Sequence, residues 1–431
     1  MRKNRVDVIT MGCSKNLVDS ELVMRQFASN GYQVEHDAEI PEGEIVVINT
    51  CGFIEAAREE SINTILQLVE GKKEGRIGKV FVMGCLSERY MEELKAEIPE
   101  VDGWYGKFNW KGLLAEVGKA YHTSPADARL LSTPNHYAFV KVSEGCDRTC
   151  AYCSIPLMTG KHVSRLIEEI LEEVEGLAKR GVKELQLIAQ DLTYYGLDLY
   201  KEHRIAQLVR AICQIDGIEW VRLHYAYPNH FPYELLEIIR EEPKVCKYLD
   251  IALQHISDPV LKAMRRNVGR EETLALIKRI REEVPGIYLR TTLMVGHPGE
   301  TEEAYQELID FVQEVRFERM GAFSYSHEEG TYGYQHYTDE IAPEVKQERL
   351  GRLMDIQQEI AFQQSERLVG TTQKVIIDRA SEGYYIGRTQ YDSPDVDPEV
   401  LVPTDEELII GAFYDVEIIE ADGFDTIGKL V

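Results

Sequence analysis

The chain has little basic charge for its size. It has 431 residues, and its 48 Lys or Arg residues against 74 Asp or Glu residues leave a net charge of −26. Proteins that hold nucleic acid by its phosphates usually carry a basic domain or stripe. The chain as a whole therefore repels polyanions and attracts basic partners. A local basic patch is compatible with this balance, so charge alone does not decide the class of partner.

Long apolar runs and dense cysteines are also missing. No apolar run reaches the roughly 18 residues that a membrane-spanning helix needs. The run behind the basic residues 1–5 is too short for a signal peptide and is interrupted by Gly12 and Cys13. Eight cysteines are too few for a disulfide scaffold in a chain of this length. We therefore expect a cytoplasmic protein of two or three domains, with reduced thiols and no membrane segment.

Three of the cysteines form a compact C-x3-C-x2-C cluster, which consists of Cys146, Cys150 and Cys153. Thiolate-only sites are typical of zinc and of iron–sulfur clusters, and structural zinc normally takes four protein ligands. A triad with no fourth Cys or His near it indicates a cluster with one iron left open for a small molecule, which favours an enzyme. The alternative is a zinc site completed by a distant residue such as His162.

The first hundred residues alternate apolar strands with helical segments. Strands are predicted over 6–11, 45–50 and 79–84, and helices over 17–29, 55–69 and 88–97. Such alternation predicts a parallel sheet covered by helices.

Three further cysteines each follow one of these strands: Cys13, Cys51 and Cys85. Ligand crevices of open α/β sheets form at the carboxyl ends of the strands, so we expect cysteines 34 to 38 positions apart to meet there. Each cysteine has a glycine beside it, and these are Gly12, Gly52 and Gly84. Glycine lets the backbone approach a bulky ligand closely. The alternative is that the three cysteines are small, buried strand-end residues.

Residues from about 120 to 135 have the composition of a linker. Beyond them, six strands are predicted over 137–142, 184–189, 220–225, 248–252, 287–295 and 319–324. Helical patterns such as 165–180, 271–283 and 300–315 separate them. Six βα units in series favour a barrel or partial barrel with its active site at the carboxyl ends of the strands. Polar clusters fall at those ends, at 190–191, 224–225, 254–255 and 296–300.

A long helix is predicted over 343–367, and the character of the chain then changes. Short β runs over 374–378, 384–389, 399–403 and 414–420 favour a small β-barrel. Cys213 and Cys246 lie in apolar stretches, and we expect both in the core. The predicted fold class is α/β, with an open parallel α/β domain over 1–125, a partial (βα)6 TIM-like barrel over 132–365 and a small β-barrel over 366–431.

Together these residues resemble the radical S-adenosylmethionine (SAM) methylthiotransferases. The contiguous triad, with Tyr152 before its last cysteine, is similar to the radical SAM signature, which a very large superfamily shares. Adding Cys13, Cys51, Cys85 and the segment Val-Gly-His-Pro-Gly-Glu-Thr over 295–301 makes the resemblance specific and extends it over essentially the whole chain. The family more often has Phe where His297 stands. The carboxyl-terminal β-barrel resembles the TRAM domain of that family.

The resemblance implies two 4Fe-4S clusters. One, on Cys146, Cys150 and Cys153, would bind SAM at its open iron, and the residue at Tyr152 would border the adenine. The other, on Cys13, Cys51 and Cys85, would hold the sulfur to be inserted.

The resemblance also implies that one SAM supplies a methyl group and a second supplies a 5′-deoxyadenosyl radical. We place the SAM pocket at Tyr152, Gln190, Gln254 and Gly296. Because cofactors carry the hard chemistry, no side chain is assigned as nucleophile or general base. The expected partners are an electron donor, such as flavodoxin or ferredoxin, and a sulfur donor, and we expect a monomer.

Two branches of this family differ in substrate, and the tail helps to choose between them. One branch modifies an adenosine in tRNA, and the other, the RimO type, modifies the β-carbon of an aspartate in ribosomal protein S-twelve. Residues 366–431 hold 15 Asp or Glu residues and 5 Lys or Arg residues, a net charge of −10. Such a surface opposes phosphate binding and would attract a basic ribosomal protein. The alternative is an acidic surface that only confers solubility.

Two motifs also resemble the RimO type: Gly-Cys-Ser-Lys-Asn-Leu-Val-Asp-Ser-Glu over 12–21, and Gln-Asp-Leu-Thr-Tyr-Tyr-Gly over 190–196. The tRNA enzymes more usually read Gln-Met after that Gly-Cys. We therefore predict a methylthiotransferase that acts on ribosomal protein S-twelve or the small ribosomal subunit. The alternative within the family is a MiaB-like tRNA adenosine methylthiotransferase. The alternative of another class is an iron–sulfur electron-transfer protein without turnover.

Overall fold

The amino-terminal region is a parallel sheet covered by helices. The structure is a computed structural model that describes residues 1–122 and 129–431, so the predicted domain boundary at 125 and part of the predicted linker lie outside the described residues. The elements are β1 (Arg2–Thr10), α1 (Ser14–Ser29), β2 (Gln33–His36), β3 (Gly43–Thr50), α2 (Glu55–Lys73), β4 (Lys79–Gly84), α3 (Cys85–Glu97), β5 (Gly103–Trp104) and α4 (Lys111–Glu116).

The five strands of this sheet pair in parallel in the order β2-β1-β3-β4-β5. Its two faces are covered by separate apolar cores, because successive residues of a strand point to opposite sides. Val46 packs with Ile65 of α2 on one face, and Val47 packs with Phe27 of α1 on the other. The strand order reverses between β1 and β3, and ligand crevices form at such a switch point.

The central region is a partial barrel. Its elements are β6 (Tyr137–Lys141), β7 (Ser143–Glu144), α5 (Ile155–Thr159), β8 (Val163–Ser164), α6 (Ile167–Lys179), β9 (Glu184–Ile188), α7 (Ile205–Cys213), β10 (Trp220–Ala226), α8 (Glu234–Glu241), β11 (Val245–Gln254), α9 (Asp258–Ala263), α10 (Arg270–Glu283), β12 (Tyr288–Val295), α11 (Glu302–Val315), β13 (Arg319–Ser324), α12 (Tyr332–His336) and α13 (Pro343–Glu366). Six strands pair in parallel in the order β13-β12-β11-β10-β9-β6, with β13 and β6 at the edges.

The tail forms a closed β-barrel. Its strands are β14 (Thr372–Ser381), β15 (Tyr384–Thr389), β16 (Val400–Pro403), β17 (Phe413–Asp422) and β18 (Asp425–Leu430), in the order β14-β15-β16-β18-β17. The predicted α/β class, the partial barrel and the small β-barrel are thus confirmed. The sequence patterns missed β18 and the short strands β2, β5, β7 and β8, which have two to four residues each.

Buried ion pairs fix the tail barrel against the central sheet. Glu184 of β9 accepts a hydrogen bond of 2.7 Å from Arg388 of β15. Arg319 of β13 lies 2.5 Å from Asp392, and Arg290 of β12 pairs with Asp397. The acidic count of the tail therefore overstates its surface charge, because two of its carboxylates, Asp392 and Asp397, pair with arginines inside the interface.

The remaining two cysteines are core residues, as predicted. Cys213 is 5% exposed and Cys246 is 1% exposed. Within the two described ranges, no helix is both long enough and apolar enough to cross a bilayer.

Candidate active site

The three dispersed cysteines lie side by side at one edge of the amino-terminal sheet. Cys13, Cys51 and Cys85 follow β1, β3 and β4, which are neighbours in the sheet. Cys13 is the residue that caps α1, and Cys85 is the first residue of α3. The structure therefore brings together three thiols that the strand-end pattern predicts to meet. We call these three residues the dispersed triad.

Glycine allows the loops of the dispersed triad to pack this closely. A Cβ built on Gly12 would lie 2.8 Å from the Cβ of Cys51, and one on Gly52 would lie 2.8 Å from the Cα of Leu86, the residue after Cys85. Real Cβ atoms essentially never approach within 3.0 Å. Gly12 and Gly84 also have φ values of +91° and +103°, which L side chains rarely adopt. The close packing therefore excludes side chains at these three glycines, which we call the cradle.

Asn16 fastens two of these loops together beside the dispersed triad. Its Nδ2 donates to the carbonyl oxygens of Met11, at 3.0 Å, and Thr50, at 3.1 Å. Its Oδ1 lies 3.6 Å from the sulfur of Cys85. Burial raises the pKa of Cys85 to about 12, so this thiol is neutral at pH 7 without a metal. Metal binding at such a site must release protons.

The second group of thiols lies on one loop after β7, and we call Cys146, Cys150 and Cys153 the contiguous triad. Backbone hydrogen bonds hold the loop: Cys146 donates to Gly160 at 3.1 Å, Ala151 donates to Met264 at 2.9 Å, and Ala151 accepts from Gly333 at 2.7 Å. Burial raises the pKa of Cys146 to about 12 and raises that of Cys153 further. The loop is thus fixed from three sides before any metal binds.

Two polar side chains that the sequence patterns did not identify contact Cys150. The hydroxyl of Tyr227 lies 3.7 Å from its sulfur, and Nη1 of Arg266 lies 3.8 Å from it. Arg266 is 5% exposed, stacks 4.1 Å from the ring centroid of Tyr227, and donates to the hydroxyl of Tyr152 at 3.3 Å. A buried guanidinium stabilises a thiolate and the negative charge of a cluster. These residues are 77 and 116 positions from Cys150, so local spacing gives no sign of them.

The ligand geometry does not match a single zinc ion. Among residues 1–122 and 129–431, no group of three or more His, Cys, Asp or Glu side chains is arranged to hold one metal ion. His162 lies 3.1 Å from the hydroxyl of Ser164 instead. A four-iron cluster distributes its cysteines over separate iron atoms, so its ligands need not converge on one point. The thiol-only donor sets therefore fit clusters better than a mononuclear site.

The two glutamines that we place in the SAM pocket each have an unpartnered acceptor. Oε1 of Gln190 and Oε1 of Gln254 are buried, and neither has a hydrogen-bond partner in the described part of the chain. Gln254 also has a φ of +71°, a left-handed conformation that is uncommon outside glycine. Buried polar groups are normally satisfied, so these acceptors fit a ligand that donates hydrogen bonds, as the ammonium group of SAM does.

The other two SAM-pocket residues lie beside an aromatic cluster. The ring of Tyr152 is 6.4 Å from that of His297, which in turn is 5.0 Å from the ring of Tyr325. Gly296 has a φ of +75°, and a Cβ there would lie 2.5 Å from the side chain of Lys346. Burial lowers the pKa of His297 to about 4. Its neutral ring therefore packs as an aromatic residue, much as the Phe expected at this position would.

The two triads are linked through their own loops. Ser154, which follows Cys153, is fully buried and donates 2.9 Å to the carbonyl oxygen of Phe53, two residues after Cys51. Glu328 of the central region supports the same junction, because it accepts from the backbone N–H of Glu55 at 3.0 Å. The loops of the contiguous and dispersed triads therefore share one interface.

A buried charge network reinforces this interface. Asp19 of α1 accepts from Lys107 at 2.9 Å and pairs with Lys141 of β6, the strand that leads into the contiguous triad. Lys141 also lies 2.7 Å from Glu144. Burial opposes the charge of Asp19, but the two lysines outweigh it and lower the pKa of this carboxyl. The network holds α1 in a fixed position relative to β6.

A cavity of about 550 Å³ lies where the three regions meet. Its lining includes Cys13, Tyr225, Asp250, Arg290, Thr292 and Asp395. Burial raises the pKa of Asp250, although Arg290 opposes this. Burial, followed by the charges of Arg222, Arg290 and Lys15, holds the pKa of the adjacent His224 well below its ordinary value. The cavity therefore joins the exposed thiol of the dispersed triad to the interior of the partial barrel.

Three family models match consecutive parts of the chain. Residues 5–106 match the model described as Uncharacterized protein family UPF0004, residues 140–312 match the Radical SAM superfamily, and residues 369–431 match the TRAM domain. The contiguous triad lies in the second segment, and the dispersed triad lies in the first.

Curated relatives match over the full length. The chain is 62% identical over 431 residues to the ribosomal protein uS12 methylthiotransferase RimO of Parabacteroides distasonis, with 100% of both chains covered. It is 60% identical over 433 residues to the protein of that name from Porphyromonas gingivalis, again with 100% of both covered. For that of Christiangramia forsetii the identity is 53% over 430 residues, covering 100% of this chain and 95% of the relative.

Solved structures share the fold at low identity. The radical S-adenosylmethionine methyltransferase TsrM from Kitasatospora setae, solved with cobalamin and a [4Fe-4S] cluster bound, matches with a TM-score of 0.53 and 14% identity over 75% of each chain. The cobalamin-dependent S-adenosylmethionine radical enzyme OxsB matches with a TM-score of 0.52 and 13% identity, over 82% of this chain and 56% of that one.

Proposed function

The chain belongs to the RimO-type radical SAM methylthiotransferase family, and we propose that it inserts a methylthio group at the β-carbon of an aspartate in ribosomal protein S-twelve. In the same proposal, two 4Fe-4S clusters are held by the contiguous and dispersed triads. Membership of the family establishes a sulfur-inserting radical SAM enzyme that uses iron–sulfur chemistry and SAM. Family membership therefore excludes the alternative of an iron–sulfur electron-transfer protein without turnover.

The observation that carries the proposal is the contact between the two triad loops. The hydrogen bond from Ser154 to the carbonyl oxygen of Phe53 joins a residue beside Cys153 to a residue near Cys51. Two sites with three thiols each, packed against one another, support a reaction in which one site generates a reactive species and the other delivers an atom. A single cluster would not require the dispersed triad.

The chain's own residues would bind the cofactors, orient SAM and exclude water. When bound, the cofactors supply a radical from SAM and the sulfur and methyl group for transfer, since an unactivated C–H bond offers neither an acid nor a leaving group. Cys146, Cys150 and Cys153 would hold one cluster, and Arg266 would stabilise its negative charge. The unpartnered oxygens of Gln190 and Gln254 would orient SAM. The aromatic surround of Tyr152 would exclude water from that pocket.

The surface of the tail supports a basic protein as substrate. Nine acidic residues of the tail are exposed, against four basic ones. The exposed acidic residues are Glu366, Glu382, Asp395, Asp405, Glu406, Glu407, Asp415, Glu420 and Asp422. The excess persists after the carboxylates buried against the central sheet are left out. It opposes a phosphate backbone and attracts a cationic partner.

The number of clusters is tested by counting iron and sulfide. Anaerobically reconstituted protein should bind about eight of each per chain, since each 4Fe-4S cluster contributes four. The Cys13→Ala/Cys51→Ala/Cys85→Ala variant should bind about four of each. A count of about four in the unmodified chain would remove the second cluster from the proposal.

The substrate is tested by offering both candidates to the reduced holoenzyme. Small ribosomal subunits and unmodified tRNA are incubated separately with enzyme and SAM, and both are then analysed by mass spectrometry. We expect a methylthio mass gain on ribosomal protein S-twelve, located at an aspartate. A gain on tRNA alone would place the chain's activity in the adenosine-modifying branch.

The proposal also needs an electron donor and a sulfur donor. A flavodoxin or ferredoxin would supply electrons, and a separate donor would renew the sulfur. Both would act in the cytoplasm, where ribosomal subunits are present. The electron donor is identified by replacing the chemical reductant with each candidate and measuring 5′-deoxyadenosine. A functional donor should restore SAM cleavage.

A further inference from the structure

Lys15 is a buried cation without an anionic partner. It stands in the first turn of α1, two residues after Cys13, and is 8% exposed. In the described part of the chain, its ammonium group has no salt-bridge or hydrogen-bond partner. Burying a charge without pairing it is costly, so such groups are usually paired or bind a ligand. The ammonium group of Lys15 therefore lacks an anion and has only the ring of Tyr225 beside it.

The position of Lys15 relates it to the cavity beside the dispersed triad. Its ammonium lies 3.0 Å from the ring centroid of Tyr225, and the cavity is lined by Tyr225 together with Cys13 and Ser14. Tyr225 has a φ of +64°, which is an outlier for a bulky residue. Strain of this kind persists where surrounding structure enforces it, often at ligand sites. The carboxylate of Asp250 accepts a hydrogen bond from the backbone N–H of Tyr225 at 3.2 Å and so helps to hold this backbone conformation.

The arginine in the cavity lining is already neutralised. Arg290 pairs with Asp397 of the tail, which is 1% exposed at its side chain. The remaining charged groups in the lining are carboxylates, including Asp250 and Asp395. Lys15 is not part of the lining itself but contacts Tyr225, which is, so the cavity has an acidic wall and an unpaired positive charge directly beside it. An acidic side chain within a basic peptide would complement both.

Resting on the proposed function, we propose that Lys15 binds the carboxylate of the target aspartate at the wall of this cavity, beside Tyr225. The ion pair places the reacting side chain beside Cys13, a ligand of the proposed sulfur-carrying cluster. The amino-terminal end of α1 adds a favourable dipole for the same negative charge. The acidic wall accepts cationic residues that flank the target. Lys15 is accordingly a specificity-determining residue, because it favours a substrate with an acidic side chain at the target position over one with a neutral side chain.

The test compares two peptides that differ only at the target position. One is the segment of ribosomal protein S-twelve that contains the target aspartate, and the other has asparagine there. Binding of each fluorescent peptide to reconstituted holoenzyme is measured by anisotropy. We expect the unmodified enzyme to prefer the aspartate peptide by about tenfold, as for a hydrogen bond to a charged group. Lys15→Met and Lys15→Gln should abolish this preference, and Lys15→Arg should retain it.

Lys111→Met is the matched control, because Lys111 also lies over an aromatic ring, that of Tyr121 at 4.5 Å, but Lys111 is exposed and Tyr121, unlike Tyr225, does not line the cavity. Its preference should equal that of the unmodified enzyme. A tenfold preference that survives in both neutral Lys15 variants would overturn the inference and leave the proposed function standing. Failure of the unmodified enzyme to bind either peptide, with binding of tRNA instead, would overturn both.

A second measurement uses the unmodified chain, in case the neutral variants do not fold. Lys15 is labelled with an amine-reactive reagent in the presence of each peptide at the same fractional occupancy, and labelling is read by mass spectrometry. The aspartate peptide should protect Lys15 more strongly than the asparagine peptide. Equal protection would contradict an ion pair at this lysine.

Discussion

The contiguous triad lies within eight consecutive residues, from Cys146 to Cys153, whereas the dispersed triad spans 73 residues, from Cys13 to Cys85. Backbone hydrogen bonds of one loop position the first set of thiols. The second set depends on the pairing of three strands and on glycines that admit close contact. A ligand set on one loop can survive local changes elsewhere, but one made from strand ends requires an intact sheet. The two sites should therefore respond differently to substitution.

The largest difference is expected when one ligand is removed from each triad. Cys150→Ala should abolish both SAM cleavage and sulfur insertion, because the cluster that binds SAM loses a ligand. Cys85→Ala should leave SAM cleavage largely intact and abolish insertion. The measurements are 5′-deoxyadenosine formation, the methylthio product and iron content. Equal loss of SAM cleavage in the two variants would contradict the division of roles between the triads.

A cradle substitution should disable the dispersed triad without removing a thiol. Gly12→Ala adds a Cβ 2.8 Å from Cys51 at a φ of +91°, so strain and a steric clash should destabilise the site by about 2 kcal/mol. Bound iron should fall from about eight to about four per chain, while SAM cleavage persists.

The matched control is Gly31→Ala. Gly31 has a similar φ of +85°, but a Cβ there would meet nothing within 4 Å. This variant should show only the backbone strain and should keep its full complement of iron. Iron loss in both variants would attribute the effect to general instability of the sheet rather than to the cradle.

A smaller effect is expected from the cation beside the contiguous triad. Arg266→Met removes the guanidinium near Cys150, which should lower the reduction potential of that cluster and slow SAM cleavage about tenfold. Potentiometric titration monitored by electron paramagnetic resonance checks the shift. Arg265→Met is the control, because Arg265 stacks on Tyr332 at 4.2 Å and has no described contact with Cys150. A potential that is unchanged in Arg266→Met would assign this arginine a packing role only.

The smallest effect on turnover is expected at the junction between the triads. Asp19→Asn leaves Lys107 and Lys141 without their shared carboxylate and should destabilise the folded chain by about 3 kcal/mol. Sulfur insertion should fall several-fold, with SAM cleavage less affected, because α1 would lose its fixed position. Glu74→Gln, which changes an exposed pair with Arg76, should have no such effect.

The same carboxylate predicts a dependence on pH. The pKa of Asp19 is lowered in the folded chain, because Lys107 and Lys141 outweigh the effect of burial. Its contribution to stability is therefore fully present above about pH 4, the region of a free aspartate, and is lost as the pH falls through the lower folded value. Denaturant unfolding at several pH values should show this loss in the unmodified chain. The Asp19→Asn variant should not show this loss of stability at low pH.

The sequence predicts the cysteines of the two triads better than the side chains around them, because those side chains are distant in the chain. Spacing alone identifies Cys146, Cys150 and Cys153, and strand-end positions are enough to predict that the three cysteines of the dispersed triad meet. Side chains that contact these ligands from distant strands have no local signature. Arg266 and Tyr227 reach Cys150 only because β10 and the segment after α9 fold over the same loop. Their positions follow from tertiary packing rather than from a periodic pattern.

Charge in the tail shows a second limit of sequence reasoning. A count of acidic residues over 366–431 assumes that every carboxylate is exposed. Asp392 and Asp397, however, pair with arginines of the central sheet. The strands β14, β15, β16 and β17 were predictable from short apolar runs between turns. The interface was not, because the arginines that pair with the tail lie in strands that are otherwise largely apolar.

The buried pairs between the tail barrel and the central sheet have a consequence for how such chains can be recombined. A foreign tail without Asp392 and Asp397 would bury Arg290 and Arg319 without their carboxylates, and buried charges without partners are strongly destabilising. The loop over 393–396 also forms part of the cavity wall next to Cys13. The tail is thus not an interchangeable module. A chimaera that exchanges it between relatives must exchange the matching arginines as well.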